Sequence, residues 1–466
     1  VQRTLLILLV AASYLLLAGG RPWTLGPLLA LAAVAVLAAP TRTLTFRPAW
    51  RGLDASLVAI AAVIVVQLLP LPAALVDTVS PAAARVRSAL QFTPLTPAPA
   101  DLVTLSVDPA STTGALGVVT LGIMSFWIAR SLFGAGGQTR AFCRALAAIG
   151  AVAAVLAVVQ KALSPKLLLF AVEPVARSTN PFGAFTNRNH MAAWLLLIAA
   201  AVGGYLIARV RIHDEDFRGH WRPWLRHFLV SGMALTALAL MVMVGALLAT
   251  LSRSAVVGLG AAAVVAWRLG EPRMAIERSH LPVRLGGIGA ALVVAMLFID
   301  LDGWATRLQQ SIGDAPGAAF SRTTIWRETW PIVRDFWVAG TGAGTYSDAM
   351  TQYQQSRVWV GSMQRWAHFN NAHSHYLQVL SEGGVLLAIP VLAALAAFVR
   401  LARAAVVADK GEMFWVRVGA AAGLAGLAVQ SIWEVALTMP ANAVLAGVLA
   451  GLVLYQREGA PHTARC

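Results

Sequence analysis

The run Asn371-Ala372-His373-Ser374-His375-Tyr376-Leu377-Gln378, followed by Ser381-Glu382-Gly383-Gly384, sets two imidazoles, amide groups and a carboxylate at the mouth of an apolar stretch. Such groups are costly at a membrane surface unless they line a wet cavity. Imidazole takes up a proton near neutral pH without a metal, which makes His373 a candidate general base. His375, two positions on, points elsewhere once a helix has begun. Two guanidinium groups stand among small polar residues, Arg188 in Asn187-Arg188-Asn189-His190 and Arg253 in Ser252-Arg253-Ser254. Planar, permanently charged donors suit phosphate oxygens, whereas an arginine without such a task snorkels to the headgroups. Fixed cations beside one base suit group transfer from a lipid-linked phosphate donor. The cations stabilise a departing pyrophosphate, and the base deprotonates an incoming hydroxyl. Tyr376, Gln378 and Glu382 fall on the first turns of the following helix, with Gln378 and Glu382 four apart on one face. They would orient the histidine, contact sugar hydroxyls or satisfy helix ends; Glu434 brings a further carboxylate to the same surface.

The elements that carry these groups are membrane helices. Of 466 residues, 58% are hydrophobic and 12% charged, and the mean hydropathy is +0.70. No soluble core consumes that much apolar sequence, so the expected fold is an all-α polytopic membrane protein. Apolar windows give about 12 transmembrane helices, at 4–20, 25–39, 53–71, 111–133, 145–163, 190–208, 228–250, 254–268, 284–301, 376–399, 413–433 and 438–455. They form one integral membrane domain: nine helices in 1–301, a long outer loop containing helices in 302–375, and three helices with a tail in 376–466. The formal charge of +15 would suggest nucleic acid in a soluble protein. Here the arginines recur after every second window, as at Arg130, Arg140 and Arg144 or at Arg400, Arg403 and Arg417. That is the positive-inside pattern, so no nucleic acid is expected and membrane lipid is. Both termini then lie in the cytoplasm and the polar clusters outside.

The outer segments differ in character. Residues 72–110, with Pro94, Pro97 and Pro99, read as an irregular cap. In the long loop an amphipathic helical pattern runs from Ser321 to Phe336, with Arg322, Trp326, Arg327, Trp330 and Arg334 interleaved with apolar positions. The stretch Gly340-Thr341-Gly342-Ala343-Gly344 lacks the strand and lysine of a P-loop and reads as a turn allowing close packing. His190, His368, His373 and His375 have no metal-ligand spacing, so neither metal nor cofactor is expected. Cys143 falls in a predicted inner loop and Cys466 is the last residue, which leaves no outer disulfide.

These motifs together resemble the O-antigen ligase and polymerase superfamily of bacterial inner-membrane glycosyltransferases. The likeness rests on Phe185-Thr186-Asn187-Arg188-Asn189-His190, Leu251-Ser252-Arg253-Ser254, Gly340 to Gly344, His373 to Gln378 with Glu382-Gly383, and Pro440-Ala441-Asn442. It covers about residues 180 to 445. The resemblance implies a metal-independent, GT-C-like enzyme that moves a glycan from undecaprenyl pyrophosphate to an acceptor hydroxyl on the periplasmic face. By position His373 inherits the base role, and Arg188 and Arg253, with Arg322 as a third, inherit the pyrophosphate contacts. Asn189, His190, Ser252, His375, Tyr376, Gln378, Glu382 and Glu434 are supporting or substrate-binding candidates. Where the family histidine often precedes Asn, this chain has Ser374. Lipid A-core is the favoured acceptor; a second lipid-linked repeat, for a polymerase, or a protein serine, for an oligosaccharyltransferase, is the alternative. A lipid-linked sugar transporter would place ionisable groups near the bilayer midplane, whereas these span centres are nearly charge-free.

Overall fold

The computed structural model describes residues 1–38, 50–90, 101–133, 136–174, 180–212, 220–276, 322–357, 359–360 and 365–455. The chain opens with α1 (Gln2–Leu15) and α2 (Pro22–Leu37), the latter with proline in its first turn, where a missing N–H costs nothing. After α3 (Arg51–Leu68) come α4 (Ala73–Val79) and α5 (Ala83–Leu90), and β1 (Leu71–Pro72) pairs antiparallel with β2 (Leu102–Val103). The expected irregular cap is therefore partly helical. Its prolines 94, 97 and 99 lie outside the described residues, and the alanine-rich stretches before them are good helix formers.

The carboxylate of Asp108 caps α6 (Pro109–Leu132), accepting from the amides of Ala110 at 3.0 Å and Ser111 at 3.4 Å. Then follow α7 (Gly136–Leu163), α8 (Arg188–Ile212), α9 (Trp221–Val230), α10 (Met233–Ala249) and α11 (Arg253–Ile276). Cys143 lies buried within α7 rather than in a loop, because that helix starts nine residues before the apolar window at 145. Ahead of the last three helices come α12 (Arg322–Asp335), α13 (Tyr346–Tyr353) and the short pair β3 (Trp359–Val360) and β4 (Arg365–Trp366). The chain closes with α14 (His375–Ala408), α15 (Phe414–Gln430) and α16 (Pro440–Leu454).

Among the described residues, six helices are long and apolar enough to cross a membrane, and a seventh span is formed if α9 and α10, bent by 72°, are one. Four shorter apolar helices, α1, α2, α15 and α16, complete the bundle. The all-α polytopic architecture stands, with fewer full-length spans than the 12 expected; the window 284–301 lies outside the described residues. The hub is α8, whose apolar window is 83% buried, as expected of a helix that is hydrophobic all round. Small residues let its neighbours approach. Gly204 of α8 meets Gly419 of α15 backbone to backbone, and Gly258 of α11 meets Gly426 of α15.

A second, smaller core lies outside the bundle. Val86 of α5, Ile325, Ile332 and Phe336 of and beside α12, and Tyr346 and Met350 of α13 bury one another. These elements form a folded cap. It sits over one end of the bundle, where α3, α10 and α15 finish and α6, α8, α11, α14 and α16 start.

Candidate functional site

Between α15 and α16 the chain leaves the α-helix for residues 431–439, touching only a 3₁₀ turn at Ala436–Thr438. That is why the apolar windows 413–433 and 438–455 yield helices of only 17 and 15 residues. The excursion carries Glu434, whose side chain is fully buried. Its Oε1 accepts from Asn189 Nδ2 at 2.6 Å and from Arg322 Nη2 at 2.7 Å. Its Oε2 faces His373 Nδ1 at 3.9 Å, too long for a hydrogen bond. Asn189 and Arg322 belong to the first turns of α8 and α12, and His373 stands two residues before α14. Three helix N-termini, each a partial positive charge, therefore converge on one carboxylate. Burial alone would raise the Glu434 carboxyl, but His373, His190 and Arg322 outweigh it and hold it below the ordinary carboxylate value.

His373 is held by its backbone. Its φ of +48° is unusual for a non-glycine residue, and the Asn371 side chain stabilises the turn by accepting from the His373 amide at 3.1 Å. On either side, Trp326 Nε1 donates to the Ala372 carbonyl at 3.0 Å, and the His375 amide donates to the Ser431 carbonyl at 2.9 Å. Ser374, standing where an asparagine was looked for, is the N-cap of α14; its hydroxyl accepts from the Leu377 amide. Tyr376 donates its hydroxyl to the Ala428 carbonyl at 2.7 Å and ties α14 to α15.

The remaining polar residues of α14 face the cap. Gln378 accepts from the Ala372 amide at 3.1 Å and donates to Glu382 Oε1 at 3.0 Å. Glu382 also accepts from the amides of Gly344 at 2.9 Å and Tyr346 at 3.2 Å, so its carboxylate clamps the glycine loop. At Gly340, with φ +69°, a Cβ would collide with the Glu382 carbonyl, which gives the loop its need for glycine. The sequence reading missed Gln67, at the end of α3, which completes the clamp. It donates to the carbonyls of Ala339 at 2.7 Å and Glu382 at 2.9 Å and accepts from the Ala343 amide at 3.0 Å. A lone glutamine ending an apolar window was the available signal.

Around Glu434 lies a set of buried polar atoms without a hydrogen-bond partner among the described residues: both ring nitrogens of His190, Nδ1 of His373 and His375, Oε1 of Gln430 and Oδ1 of Asn442. The amides of the last two are engaged, Gln430 Nε2 with the Asn189 carbonyl at 3.2 Å and Asn442 Nδ2 with the His190 carbonyl at 3.1 Å. Buried polar groups of this kind are rare in a folded protein and fit a region that receives polar ligand atoms. Gln430 was also missed, since it sits inside an apolar window.

Contact thus joins four sequence candidates, Asn189, Arg322, His373 and Glu434, with His190 and His375 beside them. Arg188 and Arg253 open α8 and α11; Arg188 is half-buried and Arg253 exposed. Ser252 and Ser254 are buried with their hydroxyls 3.3 Å apart. Gly258, little more than one turn into α11, packs on Gln430, which brings the first turns of α11 to the same end of the bundle as Glu434. Glu382 holds the glycine loop, and Gln378 links it to the Ala372 amide beside His373.

Residues 238–392 match the family model described as O-antigen ligase. The resemblance to the O-antigen ligase superfamily is therefore borne out over this stretch, which holds Ser252, Arg253, Arg322, His373, His375, Tyr376, Gln378 and Glu382. Arg188, Asn189, His190 and Glu434 lie outside it. No curated protein matches the chain.

Proposed function

We propose that this protein, similar over residues 238–392 to O-antigen ligases, is a membrane glycosyltransferase that moves a glycan from a polyprenyl pyrophosphate, undecaprenyl pyrophosphate in bacteria, to an acceptor hydroxyl at the periplasmic face of the inner membrane. The observation that carries the reading is the convergence of His373, Arg322 and Asn189 on the buried Glu434 carboxylate. A carboxylate behind Nδ1 favours the tautomer that leaves Nε2 free to accept a proton. His373 Nε2 takes the proton as the acceptor O–H bond breaks. The acceptor oxygen then bonds to the anomeric carbon while the carbon–oxygen bond to pyrophosphate breaks. The charge released on the pyrophosphate is met by Arg188 and Arg253, which open neighbouring helices whose N-termini themselves favour anions, and by Arg322. Positive charge thus comes from guanidinium groups, and no metal is assigned a step.

Lipid A-core is the first-choice acceptor, in keeping with the ligase description of the matched family. The deciding experiment is transfer in vitro in EDTA, with purified protein and undecaprenyl pyrophosphate-linked glycan. Lipid A-core, a second lipid-linked repeat and a pilin peptide are offered separately. Product on one acceptor identifies ligase, polymerase or protein glycosyltransferase. Donor binding with no product on any of the three overturns the transferase reading in favour of transport.

A further inference from the structure

One face of α12 is used by neither the cap core nor the site. Its buried face is Ile325, Glu328, Thr329 and Ile332. The opposite face exposes Arg327, Trp330 and Arg334 and continues to Trp337 just beyond the helix end. The spacing of three and four keeps these residues on one line, with the two arginines about 10 Å apart along the axis. Both tryptophans are 61% exposed, which is unusual for such large apolar rings.

Two further observations say what covers this face. The first is continuity with an exposed apolar stripe of the bundle. The carbonyl of Trp337 accepts from the Val385 amide at 2.9 Å and that of Val338 from the Leu386 amide at 3.1 Å. From that junction α14 exposes Val385, Leu386, Ile389, Leu392 and Leu395, an apolar stripe with no partner helix among the described residues. The arginine and tryptophan line therefore begins where the hydrocarbon-facing stripe ends, at the level where aromatic rings and snorkelling cations are enriched. The second is charge. The Arg334 and Arg85 side chains, 74% and 71% exposed, share the single carboxylate of Asp335 at 3.1 Å and 3.3 Å. With Arg327, three guanidinium groups face solvent against one acid.

We infer that the exposed face of α12 docks the phosphate-bearing headgroup of an anionic lipid in the leaflet on the site's side of the membrane. Arg327 and Arg334 hold the phosphate oxygens, and Trp330 and Trp337 lie against the glycerol and upper acyl region. The docking does not depend on the transfer reaction. It does place such a lipid on the helix whose first residue, Arg322, reaches Glu434.

The test is binding of a fluorescent short-chain phosphatidylglycerol to the full-length protein in a non-ionic detergent, followed by anisotropy. Competitors are unlabelled short-chain phosphatidylglycerol, phosphatidylcholine of equal chain length, inorganic phosphate and a soluble phosphorylated sugar. Phosphatidylglycerol should compete at least tenfold better than any other. Arg327→Gln with Arg334→Gln should weaken binding at least fivefold, and the corresponding lysine pair should restore most of it. Thermal melts confirm that each variant is folded, and single variants replace the pair if it is not. His373→Ala should bind as wild type, so a failed transferase reading leaves this result standing. Unchanged affinity in the glutamine pair, or equal competition by phosphatidylcholine or by inorganic phosphate, would overturn the inference. Preferential competition by the sugar would also do so and would make the face a glycan platform.

Discussion

The two ends of the bundle treat charge in opposite ways. At the end away from the cap, Asp54 of α3 is fully buried and takes both arms of Arg130, at 2.9 Å and 3.1 Å, with Trp127 Nε1 as a third donor at 2.9 Å. Arg130 also lies over the Trp50 ring. Nearby, Arg417 donates to Asp409 at 2.8 Å and to the terminal carbonyls of Val453 and Tyr455. Arg273 donates to the carbonyls of residues 409, 410 and 411. These arginines close helix ends, where cations and donors are favourable. At the cap end, Glu434 is equally buried but half-used: one oxygen holds Asn189 and Arg322, while the other faces His373 without a hydrogen bond. A finished ion pair holds helices together, and an unfinished one is arranged for something that arrives later.

The comparison breaks most readily at His373. His373→Ala should lower glycan transfer by about a thousandfold, within the range for losing a general base, with expression and melting temperature unchanged. Wild-type turnover in that variant would remove the base from the proposal. Asp54→Asn should do the reverse, costing about 3–5 kcal/mol of stability by leaving Arg130 buried and unpaired, with turnover per folded molecule unchanged; thermal melts and active-site titration separate the two. Glu434→Gln keeps the side-chain shape while removing the charge behind His373, and a loss of about a hundredfold in kcat is expected. If that variant only lowered the melting temperature, Glu434 would belong with Asp54 and the contrast between the ends would collapse. Arg253→Lys should cost about tenfold in kcat/KM for the donor if the guanidinium grips pyrophosphate with two bonds; an unchanged value means that it only reaches for headgroups. The smallest effect is on acid stability. Because the folded Glu434 carboxyl lies below its unfolded value, its contribution is present above about pH 4.3 and fades as pH falls through the lower folded value. Wild-type melting temperature should therefore drop faster below about pH 4 than that of Glu434→Gln.

Much of this was readable in the chain because membrane helices announce themselves by hydropathy, and polar residues at their ends are too costly to be accidental. His373 and the Asn187-Arg188-Asn189-His190 run stood out for that reason, whereas Arg322 came from the resemblance. What the sequence did not hold was their meeting point, since Asn189 and Glu434 are 245 residues apart and no local periodicity links them. Glu382 could orient His373, contact sugar hydroxyls or satisfy helix ends by sequence alone; its carboxylate accepts from the Gly344 and Tyr346 amides, a loop contact that no local spacing signals. Gln67 and Gln430 were hidden by the apolar windows around them, as was the break at 431–439, which hydropathy averages away.

The Glu434 knot also fixes an order of events in biosynthesis. Its partners leave the ribosome 245 and 112 residues ahead of it, and at about 5–20 residues per second the first of them waits on the order of ten to fifty seconds. A nascent chain stopped before residue 431 can carry every helix up to α15 into the bilayer and still lack a centre. Assembly of this centre thus waits for residues 431–439, and a chain interrupted before them is expected to lack the Glu434 contacts altogether rather than to hold them in part.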